Sequence, residues 1–311
     1  MIYANAFGKS SSKVLLGTTY FGDGISQNDA FAIMDKFAEL GGNHIDTARM
    51  YADGESEKLI GLWLKSRNPK DMIVSSKGGF PDVTGASRLS EKEIRFDLDK
   101  SLLALGTDKI DFYWLHRDDK NIPSGQIVEM MNVLVREGKI VKFGASNWES
   151  GRIDEANQYA QSHGLIGFEA SQIRFSPAVI APGGNDDPTL VDMNENEMKF
   201  YRMKNMPVAA FASQAKGFFA KYAQLGESGL SVKSKNRYFC EENIRRYEII
   251  ISLADSRNCS VGAAVCGVMC SLSGIFPIIG CSSVSQLCDS MTGADITFTK
   301  EETEKIFMKK D

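Results

Sequence analysis

Apolar positions along this chain change their spacing at regular intervals, from short runs to helical stripes and back. The run Lys13–Thr18 ends in a glycine turn. Ala30, Ile33, Met34, Phe37 and Ala38 then recur at i, i+3, i+4, i+7 and i+8, the spacing that puts one stripe on a helix. Ser26-Gln27-Asn28-Asp29 ahead of them has capping-box spacing, and Gly41-Gly42 behind them stops the helix. The alternation continues to the end of the chain. It predicts strands at His44–Asp46, Met72–Ser76, Ile110–Leu115, Val141–Gly144, Phe168–Gln172, Val208–Phe211 and Pro277–Gly280. Helices are expected near Glu55–Lys65, Ser90–Leu105, Ser124–Arg136, Ser150–Ser162, Thr189–Met203 and Glu241–Arg257, with one from about Ser283 and a last one capped by Thr299 with Glu302.

Eight apolar strands alternating with eight amphipathic helices predict an α/β architecture, a single (β/α)8 TIM barrel over residues 1–311. Right-handed connections would place every strand's C-terminal end on one rim. Two longer rim loops stand out, Arg174–Pro188 after strand six and Ala212–Cys240 after strand seven, and long loops in compact barrels usually serve function. The second carries Lys216, Lys221, Lys233, Lys235 and Arg237 against Glu227, which suits either a pyrophosphate or plain solvation.

Composition narrows the partners. With 311 residues, 43% apolar, 24% charged and a net charge of −4, the chain reads as a globular enzyme with no nucleic-acid footprint. A small molecule is the expected partner. The first residues lack a basic, apolar leader pattern and no run of 18 apolar residues occurs, so neither export nor membrane insertion is expected. Six cysteines without paired spacing read as reduced thiols, hence a cytoplasmic protein. Cys266 and Cys270 share a helix face among Ala, Val and Met, which points to packing. No HxxxH, HExxH or Cys/His spacing suggests a metal.

The rim carries the chemistry. Asp46, Lys77, His116, Ser146 with Asn147, and Gln172 fall at the ends of predicted strands two to six, where barrel enzymes keep their reactive groups. Tyr51 follows Asp46 by five residues. A phenol, with an ordinary pKa of about 10, is a poor acid at neutral pH. A lysine ammonium beside it favours the phenolate, and a buried carboxylate keeps that lysine charged. Tyr51, Lys77 and Asp46 supply those parts, and His116 can orient a carbonyl. His44 shares Asp46's strand face and reads as packing; His163 ends a helix before Gly164.

Four pieces in order, Asp46-Thr47-Ala48-Arg49-Met50-Tyr51, Ser75-Ser76-Lys77, Tyr113-Trp114-Leu115-His116 and Gly144-Ala145-Ser146-Asn147, resemble the signatures of the aldo-keto reductases from about Val14 to Asp289. The resemblance implies a barrel that reduces aldehydes or ketones, or oxidises alcohols, with an extended nicotinamide cofactor. It makes Tyr51 the general acid, tuned by Lys77 and Asp46, with His116 orienting substrate. It gives Ser146, Asn147 and Gln172 the carboxamide, Phe211 the stacking position, and Ala212, Gln214 and Lys216 the pyrophosphate cover. Gly280, Ser282, Ser283, Gln286 and Asp289 match the segment around the adenosine phosphate.

Family habit favours NADP. The segment from Gly280 to Ser290 has no Lys or Arg, which keeps NAD open. Tyr20, Phe21, Phe80, Trp148, Phe218 and Phe219 are expected to wall the substrate pocket, with Arg117, Asp118 and Asp119 adding polar contacts. The substrate expected is a sugar, polyol or short aldehyde. The same fold also admits a cofactor-sensing regulatory subunit with little turnover, and a cofactor-free isomerase is a more distant alternative.

Overall fold

A computed structural model describes residues 1–185 and 187–308. Eight parallel strands close into a barrel: β3 (Leu15–Gly17), β4 (His44–Asp46), β5 (Ile73–Gly78), β6 (Ile110–Leu115), β7 (Ile140–Ser146), β8 (Ser171–Arg174), β9 (Val208–Phe211) and β10 (Ile275–Ile279), with β10 pairing both β9 and β3. The expected barrel is therefore present. Register fixes its rim, because Asp46 pairs with Ser75, Lys77 with Trp114, and Ser146 with Gln172. Ser75 and Lys77, two residues apart on β5, share one strand face. Both address Asp46.

The helices α1 (Gln27–Glu39), α2 (Glu55–Arg67), α3 (Glu91–Leu105), α4 (Ser124–Arg136), α5 (Ser150–Ser162) and α6 (Glu195–Lys204) separate successive barrel strands. Their apolar stripes cover the outside of the sheet, Ile33, Met34 and Phe37 of α1 for example being fully buried. Ser26 accepts a hydrogen bond from the Asp29 amide, and full capping boxes form at Ser90 with Glu93 and at Thr299 with Glu302. No single helix among the described residues is long and apolar enough to cross a membrane.

Three departures from the sequence reading have physical causes. First, a hairpin of β1 (Tyr3–Ala6) and β2 (Lys9–Ser12) precedes the barrel. Its turn residues Phe7 and Gly8 both have positive φ, 55° and 77°, as a tight two-residue hairpin needs. Asparagine or aspartate usually announces such a turn, and here a phenylalanine occupies it. The strain is offset by burial: the Phe7 ring meets His44, Phe112, Trp114 and Phe276 edge-on at centroid distances of 4.9 to 6.0 Å. Phe7 thus plugs the barrel together with Leu15 and Ile278. We expect Phe7→Ala to cost about 3–5 kcal/mol, read as a lower urea midpoint with an unchanged slope.

Second, the sixth crossover helix starts at Glu195 rather than near Thr189. Asn194 caps it by accepting from the Asn196 and Glu197 amides, while residues before it are drawn back to the barrel by an Arg174–Asp192 bridge and ion pair. The loop after strand six thus folds over the rim. Third, the segment after strand seven contains α7 (Phe218–Leu225) and α8 (Val232–Tyr238) instead of an open loop. Phe218 and Phe219 are fully buried in a separate cluster with Tyr238 and Ile250. They pack and do not wall a pocket, and Trp148 is likewise buried against Phe168. Between strands seven and eight run α9 (Glu241–Ser256) and α10 (Val261–Ser271); α11 (Val284–Gly293) and α12 (Lys300–Phe307) end the chain. Cys266 and Cys270 lie buried in α10, whose apolar surroundings leave no helical periodicity to read.

Candidate active site

Tyr51 sits on a turn that the chain holds under strain. Ala52 and Asp53 take φ of 48° and 51°, and Gly54 takes 90°. The Arg49 guanidinium clamps the turn, donating to the Asp53 carbonyl at 2.5 Å and to the carboxylate of Glu57 at 3.0 Å. Glu57, fully buried on α2, also accepts from the Ser76 hydroxyl of β5. With φ of 90°, and a Cβ that would displace the clamping Arg49 guanidinium 1.7 Å away, position 54 favours glycine. Arg49 and Glu57 escaped the sequence reading; their signal was an Arg inside the Asp46–Tyr51 stretch and an acid in the next helical turn.

Beneath the turn, Lys77 and Asp46 form an ion pair in the interior, 1% and 3% exposed at their side chains, with Nζ donating to Oδ2 at 2.6 Å and to the Thr47 carbonyl at 2.7 Å. Burial alone would push the ammonium's pKa down. The charge of Asp46 and the adjacent Tyr51 phenol outweigh it and hold Lys77 above the ordinary lysine value. The ammonium also lies 4.9 Å from the Tyr51 ring centroid. Oδ1, the other oxygen of Asp46, accepts from Ser75 Oγ at 2.9 Å and from Gln172 Nε2 at 3.0 Å. Three donors from two other strands thus fix one carboxylate.

His116 stands edge-on to Tyr51 at 6.2 Å and to Phe80 at 4.9 Å. Burial, then the charges of Lys77 and Arg117, hold it well below the ordinary histidine pKa, so it is neutral at pH 7. Its Nδ1 is buried with no partner among the described residues. An orphaned lone pair costs less than an orphaned N–H, which puts the proton on Nε2, the ring nitrogen left to the rim. Arg117 lies over Phe80 at 5.0 Å and donates to the His116 carbonyl, Thr189 and Asp187. It ties the loop after strand six to the site. Asp118 pairs with Arg152, and Asp119 caps its own turn through Asn121, so both are structural here.

The expected cofactor residues divide into two groups. In the inner group, Asn147, with φ 59°, donates to Ser146 Oγ and the His116 carbonyl, while its own carbonyl accepts from the Val191 amide. The amide oxygen of Gln172 takes no hydrogen bond from the described residues, and Phe211 is half-buried at the end of β9. Ser146, Gln172 and Phe211 therefore keep a hydroxyl, an acceptor and a ring face for a planar amide-bearing ligand. In the outer group, Gln214 bonds Ser290 and the Gly262 carbonyl, and Ala212 and Lys216 both have positive φ in the turn beside it. Ser282 bonds the Gln286 side chain, Ser283 caps α11, and Asp289 is exposed close to Gly262. A Cβ on Gly280 would meet nothing within 4 Å, so the strand-eight rim is open. Among the described residues no cluster of three His, Cys, Asp or Glu could hold a metal.

Known proteins share the barrel that carries this site. The aldo/keto reductase family model matches residues 13–310. The chain belongs to the aldo/keto reductase family and is an oxidoreductase of that type. It is 26% identical to norsolorinic acid reductase stcV of Emericella nidulans over 95% of this chain and 77% of that protein. It is also 26% identical to aryl-alcohol dehydrogenase GME11368 of Pestalotiopsis microspora, over 89% of this chain and 71% of that one. A solved aldo/keto reductase from Klebsiella pneumoniae, in complex with NADP and acetate, superposes with a TM-score of 0.71 at 23% identity, covering 96% of this chain and 90% of that one. That likeness speaks for the fold.

Proposed function

We propose that the protein reduces aryl aldehydes or aryl ketones with NADPH and oxidises the corresponding alcohols in the reverse direction. The observation that carries this is the Lys77–Asp46 pair held under Tyr51, with a neutral His116 beside it. Ser146, Gln172 and Phe211 would hold the nicotinamide of NADPH, which would supply the hydride for the carbonyl carbon. Tyr51 gives its phenolic proton to the carbonyl oxygen, and the Lys77 ammonium stabilises the phenolate left behind. The Nε2–H of His116 donates to the same oxygen and orients it. In oxidation Tyr51 takes the proton.

An aromatic substrate fits the rim better than a sugar. Tyr20 and Met50 are 55% and 40% exposed, Phe80 stands against His116, and the Gly22 loop beside Tyr20 packs onto Ala52 and Glu55 next to the catalytic turn. The carboxylates a polyol would bond, Asp118 and Asp119, are engaged elsewhere. The names of the norsolorinic acid reductase and aryl-alcohol dehydrogenase relatives support the same class. Ser282 and Ser283 would meet the adenosine 2′-phosphate with hydroxyls in place of cations.

Consumption of NADPH and NADH should be followed with an activated aromatic aldehyde, a short aliphatic aldehyde and an aldose. The aromatic aldehyde should give kcat/KM at least about tenfold higher, the scale of one well-buried apolar contact. A preference for the aldose would overturn the aryl assignment, and a preference for NADH would overturn the cofactor choice.

A further inference from the structure

Asp46 is joined to the floor of the barrel by a line of side chains that the proton chemistry leaves unassigned. Ser75 Oγ donates to Asp46 Oδ1 at 2.9 Å, His44 Nε2 lies 3.1 Å from Ser75 Oγ, and His44 Nδ1 lies 3.0 Å from Ser11 Oγ. Ser11, His44 and Ser75 are all 0% exposed. Ser11 belongs to β2, the hairpin strand under the barrel.

The direction of every bond in this line follows from Asp46. A carboxylate only accepts, so the single hydroxyl proton of Ser75 points to Asp46. Its lone pair must then meet a donor, which makes His44 the Nε2–H tautomer. Nδ1 is left to accept, and Ser11 donates to it in preference to the Ser12 carbonyl 3.0 Å away. Without His44, the Ser75 proton has a second acceptor, the Ile45 carbonyl at 3.5 Å. Asp46 would then lose one of the two donors that hold Oδ1 and could rotate away from Lys77.

We infer that Ser11, His44 and Ser75 form a positioning chain that holds the Asp46 carboxylate with one oxygen aimed at Lys77, and so places Lys77 under Tyr51. The inference rests on the reading of Asp46, Lys77 and Tyr51 as the proton-handling set. The cations around His44, Lys77 on β5 and Lys9 on β2, the latter paired to Asp111 of β6, favour a neutral ring, and Asp46 on its own strand is already paired with Lys77. Burial first, then Lys77 and Lys9, push His44 down to about 3. His44 is a positioning residue, since Ser75 stands between it and the reacting groups.

The chain contains three histidines, so a nitrogen-15 histidine-labelled protein gives three imidazole spin systems. His44 should show a protonated Nε2 and a bare Nδ1 unchanged from pH 5 to 8 by order of magnitude of its depressed pKa. A protonated Nδ1 overturns the inference whatever the substrate proves to be. With the best carbonyl substrate, Ser75→Ala and His44→Phe should lower kcat by about tenfold or more, since small misplacements carry such costs. KM for the cofactor should stay nearly constant and the alkaline limb of the kcat profile, where the phenol proton is lost, should move up. His44→Gln, which returns a donor near the Nε2 position, should recover most of the loss. Folded Ser75→Ala with wild-type kcat and pH profile would also overturn it, and this small substitution keeps the test open if His44→Phe does not fold.

Discussion

Tyr51→Phe should lower kcat by about 10²- to 10⁴-fold, the range for loss of a positioned acid, while cofactor affinity stays close to that of the wild type. The substitution removes one oxygen and leaves the ring that stands edge-on to His116. The strained turn is held by Arg49 and Glu57, neither of which touches the phenol oxygen, so the fold should not respond. The missing proton acts in the transition state, and kcat and kcat/KM should therefore fall together. Steady-state kinetics alongside fluorescence titration of cofactor checks this. A Tyr51→Phe variant that keeps full turnover would remove Tyr51 from the chemistry.

Lys77→Met should affect both turnover and stability. It removes the cation that stabilises the phenolate, and among the described residues it leaves the buried Asp46 charge to the side-chain donors Ser75 and Gln172. Breaking a buried pair from one side typically costs about 3–5 kcal/mol. The pH dependence has a definite sign. The folded state holds Lys77 above its ordinary value, so its stabilising contribution is complete below the unfolded lysine pKa and is lost as pH rises through the folded one. Denaturant midpoints measured from neutral to strongly alkaline pH should fall for the wild type and lose that component in Lys77→Met. An Asp46→Asn, Lys77→Met double variant should be less destabilised than the single one, since it removes the orphaned charge.

Much of the barrel could be read directly because its strands and helices announce themselves by period. Strand order alone puts Asp46, Lys77, His116, Ser146 and Gln172 on one rim, and the register from β4 through β8 brings them together. The parts that were not legible depend on contacts across the chain. The Phe7–Gly8 turn is favourable only because Trp114 and Phe276 receive the ring. Phe218 and Phe219 read as pocket walls because they fall in a predicted rim loop, yet α7 turns them toward α9 and α10. His44 was expected to pack, and it does, but its two nitrogens are bonded to serines of β2 and β5 whose roles appear only once the sheet closes.

The most direct test of the account is the transfer of deuterium from NADPH labelled at the hydride-donating carbon to an aromatic aldehyde. The account predicts an alcohol carrying one deuterium on the former carbonyl carbon, formed over many turnovers by the wild type and lost in Tyr51→Phe. Tight cofactor binding without labelled alcohol from any aldehyde or ketone would contradict it and return the protein to the regulatory reading.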